Sequence, residues 1–141
     1  MIKKIILIFS LVSLTACATH RLEIKPIASV STYLSSTSFD SLELVGDEIW
    51  LKKSGKLIGT FKSIKKQDKY DSAISEVRAG YETMKDKGGI EIANEGSTYG
   101  FYAQTKNFRT YYIAHKKTND HWALISIKAD LVDSSTLRFN E

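Results

Sequence analysis

The chain has 141 residues, which is one domain's worth of core. It is 43% hydrophobic and 26% charged, which excludes wholesale disorder. One cysteine and one proline exclude an intramolecular disulfide framework, a multi-thiolate zinc site and proline-rich low complexity, and the net charge is +4.

The N-terminus places Lys3 and Lys4 before an apolar run, Ile5 to Leu14, interrupted only by Ser10 and Ser13. Small residues and Cys17 follow. This is the three-part layout of a secretory signal. The run is shorter than the roughly 18–20 residues of a permanent membrane helix. Leu14-Thr15-Ala16-Cys17 resembles the lipobox of bacterial lipoprotein precursors, a likeness carried by residues 1–17. The resemblance implies diacylglycerol on the Cys17 thiol and removal of residues 1–16 as a signal peptide. In a Gram-negative cell it also implies acylation of the new amino group. Ala18 at the second mature position, where Asp would favour inner-membrane retention, implies the outer membrane and its periplasmic face. A Gram-positive source would place the protein on the cell membrane. The competing reading is an internal apolar helix with a buried thiol, which the flanking lysines and the N-terminal position oppose. Residues 1–16 hold two of the 20 basic residues and no acid, so the mature chain carries +2. Nucleic acid is therefore not an expected partner.

Residues 17–38 read as the lipidated cysteine and a Ser/Thr-rich tether, with seven Ser or Thr among Ser29 to Ser38. The alternative is an edge strand docked through Ile27, Val30, Tyr33 and Leu34. Residues 39–141 read as a single domain. Leu42 and Leu44 alternate with polar residues, Ile49-Trp50-Leu51 follow a turn, and Leu57 to Lys62 alternate after Lys53-Ser54-Gly55-Lys56. Short Gly-containing loops between such runs predict an antiparallel meander. Gly59 in mid-strand predicts a bulge or a close backbone approach.

The period then changes. Tyr70, Ala73, Ile74, Val77, Tyr81 and Met84 form a helical stripe, predicting one amphipathic helix over about 69–87 with Asp68 as N-cap and Gly88-Gly89 as the stop. Gly80 in its middle costs about 1 kcal/mol relative to Ala and predicts close packing on a sheet. Strands are expected from Ile90, over Thr98 to Thr105, over Arg109 to His115 and over His121 to Ala129. The tail after Asp130 reads as a short helix or irregular chain. The fold class is α+β: a curved antiparallel sheet with the helix on one face, in the order βββ-α-ββββ.

No catalytic constellation emerges. There is no G-x-S-x-G elbow, Cys17 is consumed by lipid, and Gly88-Gly89 follows a helix instead of preceding one. His115, Asp120 and His121 flank one loop and are able to meet on a metal, but no ligand motif supports this and Lys116 and Lys117 oppose it. No metal, cofactor or enzymatic activity is expected. Two surfaces remain. Lys52, Lys53, Lys56, Lys62, Lys65, Lys66 and Lys69 suggest a basic patch for an acidic partner or anionic lipid, against the plainer reading of solvated turns and a charged strand edge. Tyr99, Phe101, Tyr102, Phe108, Tyr111 and Tyr112 concentrate aromatics on two strands, so one face is expected to stay exposed for a partner unless the tether or tail covers it. The expected function is a membrane-anchored, non-catalytic protein-interaction module of the periplasm, immunity-type or an accessory subunit. The alternative is a small-ligand or lipid-binding module with an apolar pocket between sheet and helix, lined by Trp122, Leu124 and the helix stripe.

Overall fold

A computed structural model describes residues 21–35, 37–133 and 136–139. The signal peptide, the lipobox and Cys17 lie outside the described residues. The protein is α+β, and its described residues form two antiparallel sheets and one α-helix. The central meander follows the expected order. Strands β3 (Ser41–Val45), β4 (Glu48–Lys53) and β5 (Lys56–Lys65) precede helix α1 (Ala73–Met84). Strands β6 (Ile90–Glu95), β7 (Thr98–Gln104), β8 (Phe108–His115) and β9 (His121–Lys128) follow it. They form a seven-stranded sheet in the order β3-β4-β5-β9-β8-β7-β6. The register shifts between Leu51 and Lys52, whose partners on β5 are Gly59 and Leu57, so the chain bulges beside Gly59. A Cβ on Gly59 would stand 3.3 Å from the Ser126 carbonyl oxygen, so the close approach is real as well.

The tether reading is corrected. Residues Arg21–Ile27 form β1 and Val30–Ser35 form β2. They pair with each other, and β2 also pairs with β10 (Leu137–Phe139), giving a three-stranded sheet with β2 in the centre. The hydroxyl-rich stretch is buried: Ser29, Ser31 and Thr32 are inaccessible beside Val30 and Leu34. Small hydroxyl side chains fit a central strand because its backbone groups are paired on both sides, as where the Tyr33 amide donates to the Thr136 carbonyl at 2.7 Å. Pro26 falls where the β1–β2 register shifts between Ile24 and Ile27, on a strand that edges its sheet. The tail opens as expected, with a 3-10 turn over Ala129–Leu131 and irregular chain, and then adds the short strand β10, which was not expected.

These three strands lie over one face of the large sheet. Ile24, Ile27, Val30 and Leu34 join Leu51, Ile58, Phe61, Tyr111, Ile113, Ala123, Ile125 and Ile127 in the main core. Helix α1 covers part of the opposite face with Ala73 and Val77, which pack with Tyr99, Phe101 and Ala114. The order of layers is small sheet, large sheet, helix.

The helix begins later than expected. Ser72, not Asp68, is its N-cap: the Ser72 hydroxyl accepts from the Ser75 amide, and the Ser75 hydroxyl accepts from the Ser72 amide. The chain before it spends its amides on tertiary bonds. Lys66 donates to the Asp120 carbonyl at 2.7 Å, and Gln67 donates to Glu76 Oε2 at 2.8 Å. A 3-10 turn over Lys85–Lys87 ends the helix, with Gly88 left-handed behind it. Among the described residues, no helix is long and apolar enough to cross a membrane.

Candidate functional site

Alternation sorts the aromatic residues as expected, with Tyr99, Phe101 and Tyr112 on the helix side and Tyr102 and Tyr111 on the other. The exposed aromatic face does not form. Tyr99 and Phe101 are 1% exposed and Tyr111 is 4% exposed, while Tyr102 and Tyr112 are half-buried. The covering the sequence left undecided comes from β1, β2 and β10 on one side and α1 on the other. Burial pushes the Tyr99 phenol well above its usual range, and its bond to Glu91 Oε2 at 2.8 Å adds to that. The Arg78 guanidinium lies 4.5 Å from the Tyr99 ring centre and closes the cluster at its rim.

Nor do the lysines form one patch. Lys52 and Lys53 end β4, Lys56 begins β5, and Lys65 closes β5 beside Lys66. Nine strand steps of about 3.3 Å put roughly 30 Å between Lys56 and Lys65. Several are already engaged: Lys52 Nζ lies 2.7 Å from Glu43, Lys62 lies 3.0 Å from Asp47, and Lys66 Nζ donates to the Tyr70 carbonyl at 2.9 Å.

The histidines do not converge on a metal. His115 is 1% exposed, and its Nδ1 accepts from the Lys117 amide at 3.1 Å. His121 Nδ1 lies 3.0 Å from Asp120 at the surface. Among the described residues, no group of three His, Cys, Asp or Glu side chains is placed to hold a metal ion. Burial, reinforced by the Lys117 charge, lowers the His115 pKa below its ordinary 6.5. In that window the unfolded chain binds the proton more readily than the folded one. His115 therefore contributes nothing adverse above about pH 6.5 and destabilises the fold progressively as pH falls below it. Urea midpoints of the native protein are expected to drop between about pH 6.5 and pH 5 more steeply than those of His115→Gln. Parallel curves would show that His115 is not the titrating group.

Beside α1, where the ligand-binding alternative expects an apolar pocket, lies a groove. It has a volume of about 380 Å³ and lies between the helix and strands β7, β8 and β9. Tyr70, Phe101, Tyr112 and Trp122 supply its rings. Phe101 and Tyr112 stack with centroids 4.6 Å apart, and Tyr112 and Trp122 lie 6.0 Å apart. Among the described residues, Glu76 is its one charged lining residue, and no lysine, arginine or histidine lines it. The Trp122 Nε1 is buried and has no hydrogen-bond partner among the described residues. Trp122 lines it with Tyr70, Val77 and Met84 of the helix stripe, as the ligand-binding alternative expected, but Ala73, Ile74, Tyr81 and Leu124 do not, and the space is an open groove instead of a closed pocket.

Gly80 also lines the groove. Its place there corrects the close-packing reading. A Cβ on Gly80 would meet the Phe101 ring at 3.7 Å, ordinary contact, so the helix does not need glycine in order to pack. The missing methyl leaves the groove open instead. The exposed apolar residues form a second feature at the sheet edge. Leu42 and Leu44 pair with Leu51 and Ile49 and so face the small sheet, yet they are 49% and 73% exposed because its strands do not extend over β3. Comparison of the chain with protein-family models, with characterised proteins and with solved structures gave no match.

Proposed function

We propose that this protein is a lipid-anchored envelope lipoprotein, held at the periplasmic face of the outer membrane through Cys17, that acts by binding and not by catalysis. Its ligand seat is the groove between α1 and the sheet. The occupant is a small amphipathic molecule bearing a positive charge. Aromatic faces attract organic cations, and the only formal charge in the lining, Glu76, is negative. The observation that carries this reading is Gly80. A glycine inside a helix costs about 1 kcal/mol relative to alanine, there is room for the alanine, and what the glycine preserves is groove volume.

Gly80→Ala therefore separates binding from folding. The variant is expected to be as stable as the parent or up to about 1 kcal/mol more stable in urea. It is also expected to bind more weakly. Benzyltrimethylammonium is a suitable probe, read through Trp122 fluorescence in the full-length mature protein, with Trp50→Phe removing the other indole. Saturable quenching by the cation, absent with benzoate and reduced in Gly80→Ala, is the expected result. Equal response to cation and benzoate, or unchanged affinity in Gly80→Ala, would refute this assignment.

A second reading rests on β3. Its free edge and the exposed Leu42 and Leu44 suit an extended strand of a protein partner, added as an eighth strand with apolar side chains at alternate positions. An immunity-type or accessory role would use this edge. The buried aromatic face that the sequence first suggested does not support it.

A further inference from the structure

Three surface features lie outside the groove: the β3 edge, the β6 edge with Ile90 and Ile92 exposed, and the lysine-bearing end of the sheet where β4 turns into β5. The third carries an inference, and it rests on the lipoprotein reading. We infer that this end, with Lys53, Lys56, Lys106 and Lys128, lies directly against anionic phospholipid headgroups.

The leash is short. The first described strand begins at Arg21 and not near residue 39. Three residues separate Cys17 from Arg21, and the four chain steps between them span about 14 Å at most when fully extended. The long spacer read from the sequence does not exist, so the lipid holds the start of β1 close to the bilayer. The domain is able to tilt about that point but not to stand clear of the surface.

The topology then says which residues share that point. Arg21 pairs with Ser35 across the β1–β2 ladder, which places their Cα atoms about 5 Å apart. Two residues further on, the Thr37 carbonyl accepts a hydrogen bond from Lys53 Nζ at 2.9 Å. Asp40 Oδ2 accepts from the Ser54 amide at 2.6 Å. The β4–β5 turn is therefore bound to the segment that follows β2. Thr37, Ser38, Lys53, Lys56, Asn107 and Lys128 line one open hollow, so four separate stretches of chain meet here. The Ala129 amide donates to the Asn107 carbonyl at 2.8 Å, which ties the β7–β8 turn and its Lys106 to the end of β9.

The chemistry of this end suits phosphate. Lys53, Lys56, Lys106 and Lys128 are all exposed, and Leu57 beside them is 37% exposed. The acids around them are Asp40, Asp130 and Asp133; Asp40 is engaged by the Ser54 amide, and Asp130 lies 3.3 Å from Lys128. Lys56 and Lys106 project from a strand start and a turn on flexible stems, while the Lys53 and Lys128 ammonium groups bond to the Thr37 carbonyl and Asp130 within the same surface. The charge excess is modest. The anchor sets the orientation, and the lysines make the contact that it permits.

Amine acylation rates in the lipidated mature protein test the inference. The protein is placed in vesicles of phosphatidylethanolamine with phosphatidylglycerol, in vesicles of phosphatidylcholine alone, and in detergent, and each lysine is read by mass spectrometry. On the anionic vesicles Lys53, Lys56, Lys106 and Lys128 are expected to react several-fold more slowly than in detergent. Lys65, Lys69, Lys116 and Lys117, at the opposite end of the sheet, are expected to keep their rates. Protection is expected to be weaker on phosphatidylcholine. Equal rates for the two sets on anionic vesicles, or equal protection on both lipids, would overturn the inference. The same spectra report acylation of Cys17. An unmodified Cys17 would overturn the lipoprotein reading and this orientation with it, whereas an acylated Cys17 with unprotected lysines would overturn the orientation alone.

Discussion

Val30→Asp is expected to abolish cooperative folding of the domain. Val30 is fully buried at the centre of the small sheet and packs in the main core. The substitution removes an apolar side chain worth about 1.5–3 kcal/mol of burial. It also places a carboxylate in the apolar core, at an effective cost of several kcal/mol more. A small domain has only about 5–15 kcal/mol of stability to lose. The expected readout is loss of the sigmoidal urea transition followed by tryptophan fluorescence. Exposed Ala28, two residues away in the β1–β2 turn, is the matched control, and Ala28→Asp is expected to stay within about 0.5 kcal/mol of the parent. A flexible tether would tolerate both changes alike. An unchanged midpoint for Val30→Asp would restore the tether and remove the short leash on which the membrane orientation depends.

That segment also shows where sequence reasoning reached its limit. The meander from β3 to β9 was legible because its signals are local: alternating apolar residues, glycine-bearing turns, and one stretch where the period shifts to that of a helix. The segment from Arg21 to Ser35 carries a weaker local signal, and its partner strand β10 lies about a hundred residues away. Serine and threonine were read by composition as solvated coil, whereas in β2 they are the small residues that let a second sheet approach. The start of the helix was misplaced for a related reason. Asp68 and Ser72 are both able to cap, and the choice is made by Asn119 and Asp120, whose carbonyls take the Ala73 and Lys66 amides. Alternation gave the correct faces for Tyr99, Phe101 and Tyr102, since a strand's period fixes which side chains share a side. It did not say whether each side was covered, which is a fact about other elements. The groove was legible as a space between sheet and helix beside Trp122 and part of the helix stripe, whereas the glycine at position 80 was ambiguous between close packing and open space.

Phe101→Ala is expected to cost about 3–5 kcal/mol, the range for removing a buried aromatic ring that its surroundings cannot replace. Phe101 is 1% exposed; its ring stacks on Tyr112 with an interplanar angle of 4° and lies 5.6 Å from the Tyr81 ring. It thus joins α1 to the sheet and also forms the wall of the groove. A residue of an exposed partner surface would behave otherwise, leaving the urea midpoint in place and changing only binding. Lys106→Ala, in an exposed turn, is expected to do no more than about 0.5 kcal/mol and calibrates the comparison. Phe101→Leu separates the two parts of the loss. It keeps apolar volume and gives up the stacked ring, so it is expected to cost less, with roughly 0.5–1.5 kcal/mol of that cost belonging to the ring pair itself. Since Tyr112 lies between Phe101 and Trp122, losing its stacked neighbour frees the ring that the groove presents, and binding of a cationic probe should weaken even where the leucine variant stays folded. A destabilisation below about 1 kcal/mol for Phe101→Ala would mean that the helix is held to the sheet by something other than this aromatic cluster.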